Sequence, residues 1–439
     1  MWHEKKSSHG TLSLLSATSA TLIMTPLFLG LLIPALGAPT EHSRMIDDMG
    51  KRRPEWRVKG APDTGKKLCG FDMAPPDKVH TAEVYHAVQG LGTYNHAVML
   101  DWYDSFFLLT WKNSPKDEDE AGQRIMYATS VDGSTWSATD GRNIMFPNIS
   151  TSATPAALFA GPAAILNGRR YASASPHQFC LFPDPYKDVL LLRRVDPPSA
   201  NGSVHLGPVF WAAASVPSGF EEVSTLNGIV PLSAMDKQTQ DDVAILSDWS
   251  RLPCAAETEG TLKCEACVGG CDSNRHEMAG LGMGGGAEYT HYKIPGGTEE
   301  MMLHRTKEHE LMFGHRDNAS MPWRGPYHSN LPDADSNLNA GRLPGGQIYL
   351  VSNACTRGRD PLVVSTSKDG WLFEHAVGVM SCEGLGQCGA RIGGKSKSHG
   401  VSYPQATTVL GPSTLAGLYV AASNNKEDIW VAKLDFDAL

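Results

Sequence analysis

What the sequence lacks first is an excess of basic residues. Against 47 Asp and Glu stand only 38 Lys and Arg, a formal charge of −9, whereas a protein that binds nucleic acid normally offers a basic surface. No nucleic-acid partner is expected. Long apolar runs are absent after the first forty residues, so nothing later reads as a membrane-spanning helix. Sustained helical periodicity is missing too, as are the HExxH zinc pair, the P-loop and the dinucleotide fingerprint. No cofactor and no metal is therefore expected. What is present is a globular composition, 41% hydrophobic, 8% aromatic and 19% charged, able to bury a large core as one large domain or two ordinary ones. With 44 Gly and 28 Pro, many short elements joined by turns are favoured over long helices. The chain reads as mostly β.

The N-terminal segment is a separate object. Lys5 and Lys6 precede the apolar run Thr21 to Ala38, and Ala35-Leu36-Gly37 supplies small residues at the spacing a signal peptidase prefers. Residues 1–38 therefore read as a secretory signal or, if uncleaved, a signal anchor, although Pro26 and Pro34 make a poor spanning helix. The first reading implies a secreted protein, and the second a membrane tether carrying a lumenal or extracellular domain. Residues 39–75, with the basic run Lys51 to Lys67, read as a solvated linker. Nine cysteines agree with export, where most would pair. The cluster Cys254, Cys264, Cys267 and Cys271 fits either a four-thiolate zinc shell or two local disulfides pinning a Gly-rich insertion at about 251–286, and an oxidising compartment favours the disulfides. Sequons at Asn148, Asn201 and Asn318 are compatible with glycosylation.

From about Val79 onward, β-runs and Gly/Asn/Asp turns recur in five rounds, such as 96–137, 162–220, 287–323, 340–373 and 403–436. A repeated four-stranded sheet is the unit of a β-propeller. The stretches 79–88 or 241–250 could supply a sixth blade. Two turns are sharper: Ser130-x-Asp132-Gly133-x-x-Trp136 and Ser367-x-Asp369-Gly370-x-x-Phe373 fall at the same point of two rounds. In each the Asp can accept backbone N–H groups, the Gly permits a positive φ, and the aromatic packs between sheets.

These turns resemble the Asp-box (BNR) repeats of the sialidase superfamily, with one residue fewer between Asp and Gly; 315–323 and 215–220 look like eroded copies. Segments such as YNHAVMLDW, AGRLPGGQIYLVSN, RDPLVVSTSKDG and NKEDIWVAKLD extend the resemblance over most of residues 76–439. It implies an all-β, six-bladed propeller acting on acidic sugars, with a carbohydrate as partner. It also implies three Arg forks on the substrate carboxylate, a Tyr nucleophile activated by a Glu, and an acid. Onto this chain these carry over as Arg305, Arg359 and Arg391, Tyr403 with Glu288, and a carboxylate of the acidic loop Asp117 to Glu120, here Asp119. The Arg normally found near the start of the propeller is missing, since no Arg lies between Pro75 and Trp111. In its place stand Tyr94, Asn95 and His96, with Asn95 a candidate for substrate binding and His96 for acid or base work. Three classes follow: a sialidase-like glycoside hydrolase, a propeller polysaccharide lyase acting on uronates through His96 or Tyr403, and a non-catalytic carbohydrate-binding propeller.

Overall fold

A computed structural model describes residues 52–439 except 104, 119, 121, 138–140, 150–155, 179–188, 200–203, 214–215, 217, 245–288 and 307–308. The N-terminal signal or anchor, the cysteine cluster, Glu288 and Asp119 lie outside the described residues. Two strands come first, β1 (Glu55–Trp56) and β2 (Val79–Tyr85). One sheet follows from β3 (Tyr94–Trp102), β4 (Phe107–Ser114), β5 (Arg124–Ser130) and β6 (Ile144–Phe146). The next is β7 (Ala156–Leu166), β8 (Arg169–Gln178), β9 (Val189–Val195), β10 (Leu206–Ala213) and, after helix α1 (Phe220–Leu226), the short β11 (Val230–Pro231). Helix α2 (Lys237–Ala244) then precedes a third sheet, β12 (Tyr289–Lys293), β13 (Glu300–His304), β14 (Glu310–Arg316) and β15 (Arg324–Pro332). The fourth is β16 (Asn339–Arg342), β17 (Ile348–Ser352), β18 (Leu362–Ser367) and β19 (Leu372–Met380). The fifth is β20 (Val401–Val409), β21 (Gly417–Asn424) and β22 (Asp428–Leu434), completed by β2 pairing antiparallel to β22.

The middle strands explain the architecture. β4, β17, β18 and β21 are buried along their whole length, as strands must be when both faces meet a neighbouring layer, and their sequences are accordingly near-continuous apolar runs. The cores lie between successive sheets: Met99, Phe106 and Ile125 meet Leu158, Leu191 and Trp211, while Val351 and Val364 meet Val420 and Ala432. Strands β3, β12, β16 and β20 open their sheets, with β3 against β7 and β20, and β16 against β12 and β20. Sheets ordered this way around a shared centre form a β-propeller. Among the described residues there are five sheets; of the two stretches expected to furnish a sixth, 79–88 and 241–250, the part 245–250 lies outside the described residues. Residues 79–85 finish the fifth sheet, and 237–244 are helical. No described helix is long and apolar enough to cross a membrane.

Both Asp-box turns form. Asp132 Oδ1 accepts the N–H groups of Ser134 and Thr135 at 2.8 and 2.7 Å, and Asp369 Oδ1 those of Trp371 and Leu372 at 2.9 and 2.8 Å. Gly133 has φ +73°, and a Cβ there would stand 2.2 Å from Tyr419 Cε1 of the fifth sheet. Gly133→Ala is expected to cost about 3 kcal/mol, combining left-handed strain with overpacking; denaturant unfolding measures it. The eroded copy at 315–323 keeps an Asn318 turn, accepting Ser320 N–H at 3.0 Å, whereas that at 215–220 runs into α1.

The segment expected to be a solvated linker is instead packed. β1 adds parallel to β19, Trp56 Nε1 donates to Ala61 O at 2.8 Å, and Trp56, Ala61, Cys69 and Phe71 join the core between the third and fourth sheets. A Cys69–Cys355 disulfide fixes this strap, and a second disulfide joins Cys382 to Cys388. Its apolar residues are few, but they are spaced to cover an otherwise open strand edge.

Candidate active site

Polar side chains converge where the inner strands begin. β3 places His96 at the bulge that separates His96 from Met99, and β20 places Tyr403 inside the bulge between Ser402 and Gln405. The two rings are in contact at a 48° tilt, with centroids 3.9 Å apart. Arg305, directly after β13, donates from Nη1 to the Tyr403 hydroxyl at 2.9 Å. Arg359, in the connection from β17 to β18, lies 5.3 Å from the Tyr403 ring centroid, Arg305 5.8 Å and Lys426, in the β21–β22 turn, 6.0 Å. Arg305 and Arg359 share one acceptor, the carbonyl of Asp335, and Arg305 also pairs with the Asp335 carboxylate at 3.7 Å. Four sheet regions thus contribute to one cluster.

The backbone is bent to make this possible. Ala97, Asp335, Tyr403 and Lys426 all hold positive φ, at 51°, 52°, 57° and 56°. None is glycine, and such conformations in L-residues collect at functional sites where surrounding structure enforces them. Gly400 allows the approach of the Arg359 segment: its φ is +92°, and a Cβ would fall 2.3 Å from Arg359 O.

His96 is 1% exposed, and its Nδ1 lies 2.7 Å from Ser423 Oγ, whose hydroxyl donates to Ser402 O at 3.4 Å. With its proton directed there, Ser423 accepts from Nδ1–H, so Nε2 carries the lone pair. Nε2 has no hydrogen-bond partner among the described residues. Burial, reinforced by the charges of Lys426, Arg359, Lys112 and Arg305, pushes the imidazole well below its ordinary pKa. His96 is therefore neutral at physiological pH.

The acidic loop is not simply solvated. Asp117 accepts the Ser396 N–H at 2.9 Å, and Glu118 turns inward to Lys426 Nζ at 3.1 Å and Lys112 Nζ at 3.8 Å. Burial would raise the Glu118 carboxyl, but Lys112, Lys426 and a Tyr94 hydroxyl bond outweigh it and hold it below its ordinary range. Behind Arg305, Asp333 accepts the Thr306 N–H at 2.8 Å, and burial lifts its carboxyl to about 6.

Four of the residues singled out from sequence come together: Tyr403, His96, Arg305 and Arg359. Two do not join them. Asn95 spends its side chain on the framework, donating to Glu427 O at 2.8 Å and accepting from Trp111 Nε1 and Asn113 Nδ2 at 3.0 and 2.7 Å. No valence remains for a ligand. Arg391 donates to Asp428 at 2.6 Å beside His86, so the third Arg fork is engaged elsewhere. Nor is Arg359 consumed by Asp360, which takes the Cys382 N–H at 2.7 Å instead. The site residues that sequence reasoning missed are Lys426, Lys112 and Asp335, while within the expected acidic loop it is Glu118 that turns into the site. Two carboxylate and imidazole clusters, Glu83/His86/Asp428 and Glu299/His315/Asp317, each already hold a guanidinium, from Arg391 and Arg324.

Buried histidines on the third sheet make the fold acid-sensitive. Burial and the Arg316 charge push His291 down to about 4, and burial pushes His304 to about 3. The unfolded chain binds these protons below about 6.5 and the native one does not, so their stability contribution is complete above that pH and lost as pH falls toward 4. Asp333 works the other way, its contribution falling as pH rises from the ordinary carboxylate range to about 6. The raised Asp360 and Asp428 carboxyls act with Asp333, whereas His96 and the depressed carboxyls of Asp117, Glu118, Asp132 and Asp369 act with the two histidines and together outnumber the raised carboxyls. The melting temperature is expected to drop steeply between pH 6.5 and 4; a flat profile would show that these rings are accessible to protons in the native state.

Residues 290–413 match the family model described as BNR repeat-like domain, and residues 80–158 match one described as an N-terminal beta propeller. No curated protein sequence matches the chain. Among solved structures, a sialidase superposes with TM-score 0.60 at 20% identity over 88% of this chain and 35% of its own. A Trypanosoma rangeli sialidase in complex with sialic acid gives TM-score 0.46 and 11% identity over 83% and 60% of the two chains. The chain spans about a third of the first sialidase's length. At such identity the likeness is one of fold. With its BNR repeat-like segment and its two Asp-box turns, the chain carries a β-propeller fold like that of the sialidase on which it superposes.

Proposed function

We propose that the protein is a secreted, sialidase-like glycoside hydrolase that acts on terminal acidic sugars. The observation that carries this reading is the Arg305 Nη1 to Tyr403 Oη bond of 2.9 Å inside a group of cations. Arg305 and Arg359 present planar forks suited to a sugar carboxylate. An oxyanion at Tyr403 Oη is stabilised by the same charges, which suits a nucleophile whose neutral form is weak. In the proposed sequence Tyr403 attacks the anomeric carbon, Glu288 takes its proton, and Asp119 protonates the departing oxygen. Water then hydrolyses the glycosyl-tyrosine. Glu118, held ionised between two lysines, is a hydrogen-bond acceptor for sugar hydroxyls and not the acid.

One observation favours a second reading. The unpartnered His96 Nε2 beside Tyr403 is what a lyase needs to abstract the proton next to a uronate carboxylate that arginine has neutralised. Incubating the protein with a panel of sialosides and uronate polysaccharides separates the two. New reducing ends without an unsaturated-uronate absorbance support the hydrolase; the same ends with that absorbance assign a lyase. Binding without either product leaves a recognition module and removes the catalytic roles.

A further inference from the structure

Two guanidinium groups repel each other, so a pair that acts as one fork needs an acceptor common to both. For Arg305 and Arg359 that acceptor is the backbone carbonyl of Asp335. Asp335 lies in the connection from β15 to β16 and, although not glycine, holds φ 52°. Its own carboxylate is 39% exposed and 3.7 Å from Arg305 Nη1, and a pair so open to water does little to fix a backbone. The turn that aims the carbonyl is therefore held from elsewhere.

Asp333, two residues earlier, is 2% exposed and reaches both sides of the pair. Its Oδ2 accepts the N–H of Thr306, the residue after Arg305, at 2.8 Å. The N–H of Ser336, the residue after Asp335, also bonds its carboxylate. Its own N–H donates to His309 O at 3.0 Å, just before β14. One buried carboxylate thus spans the segment that carries Arg305 and the segment that carries the shared carbonyl. These N–H groups favour the ionised form and oppose the burial that lifts the carboxyl to about 6, so the side chain is charged at neutral pH and accepts with both oxygens.

We propose that Asp333 is the positioning residue of the site: by bonding the backbone after Arg305 and the backbone after Asp335 at once, it fixes the carbonyl against which both guanidinium groups are set. The proposal rests on the reading of Arg305 and Arg359 as a carboxylate clamp and adds what assembles that clamp. Asp333 acts through the Asp335 carbonyl and the Arg305 segment, and not on the ligand directly. A role as a charge alone predicts the opposite effect, because removing a carboxylate behind Arg305 would strengthen the attraction between the guanidinium groups and an anionic ligand.

Calorimetric titration of the full chain at neutral pH with N-acetylneuraminate and with D-glucuronate, each beside its methyl ester, reads the clamp without any turnover. The native protein is expected to bind one of these acids about 100-fold more tightly than its ester, the effect of two charge-assisted contacts. The stoichiometry counts the folded fraction in every sample. In Asp333→Ala the preference is expected to fall below about tenfold, while the ester's affinity changes less than about threefold. Asp333→Asn, of equal size and with one oxygen kept for the Thr306 N–H, is expected to fall between the two. An acid bound by either variant as tightly as by the native protein, or more tightly, would overturn the proposal, and so would equal weakening of acid and ester. A native protein that binds neither acid more tightly than its ester removes the clamp reading and this proposal with it. A native preference that survives in both variants sinks this proposal alone.

Discussion

Tyr403→Phe is expected to lower kcat/KM for an acidic glycoside by about 10³-fold or more, with the melting temperature kept within a few degrees. The size follows from removing the nucleophile of a covalent mechanism, where a single deletion abolishes nearly all that the assembled group provides. Folding is spared because the change deletes one oxygen, bonded to Arg305 at 2.9 Å, from a half-buried ring whose tilted contact with His96 remains. A loss confined to KM would instead make Tyr403 a binding residue. Retained activity in Tyr403→Phe together with loss in His96→Ala would move the chemistry to the imidazole.

The second large effect concerns the strap. Cys69 and Cys355 are 286 residues apart in sequence, and on the chain-entropy model a cross-link closing a loop that long stabilises by about 6 kcal/mol. Cys355→Ser is expected to lose most of this and to expose Trp56, now buried against the third and fourth sheets. Chemical unfolding followed by tryptophan fluorescence reads both. An unchanged midpoint would mean that the unfolded chain is already constrained there, or that β1 holds to β19 without the bond.

The same strap marks how far the sequence could be read. Alternation and Gly/Asp turns placed the inner and middle strands of 94–436, because the turns between strands demand particular residues, but missed the outer strands β6, β11 and β15 and most of β19. Residues 52–75 escaped, since a few anchoring side chains such as Trp56 and Phe71 leave no period among many charges. The site was legible where residue chemistry alone marks it: Tyr403, His96, Arg305 and Arg359. It was not legible where direction depends on backbone. Asn95 and His96 are adjacent, yet one serves the framework and the other the site, and the bulge after His96 follows from no pattern in YNHAVMLDW. Lys426 sits in an ordinary-looking Asn-Asn-Lys-Glu turn, and only its left-handed backbone aims it at Tyr403. Arg391 has the right side chain, but Asp428 claims it.

The most direct test of the Tyr403-centred account is to trap the intermediate. The protein would be incubated with an acidic glycosyl fluoride carrying a further fluorine next to the anomeric centre, digested, and mapped by mass spectrometry. The expected result is one sugar adduct, on the peptide containing Tyr403 and absent in Tyr403→Phe. Turnover of acidic glycosides with the adduct elsewhere, or with an unsaturated product and no adduct, would contradict it.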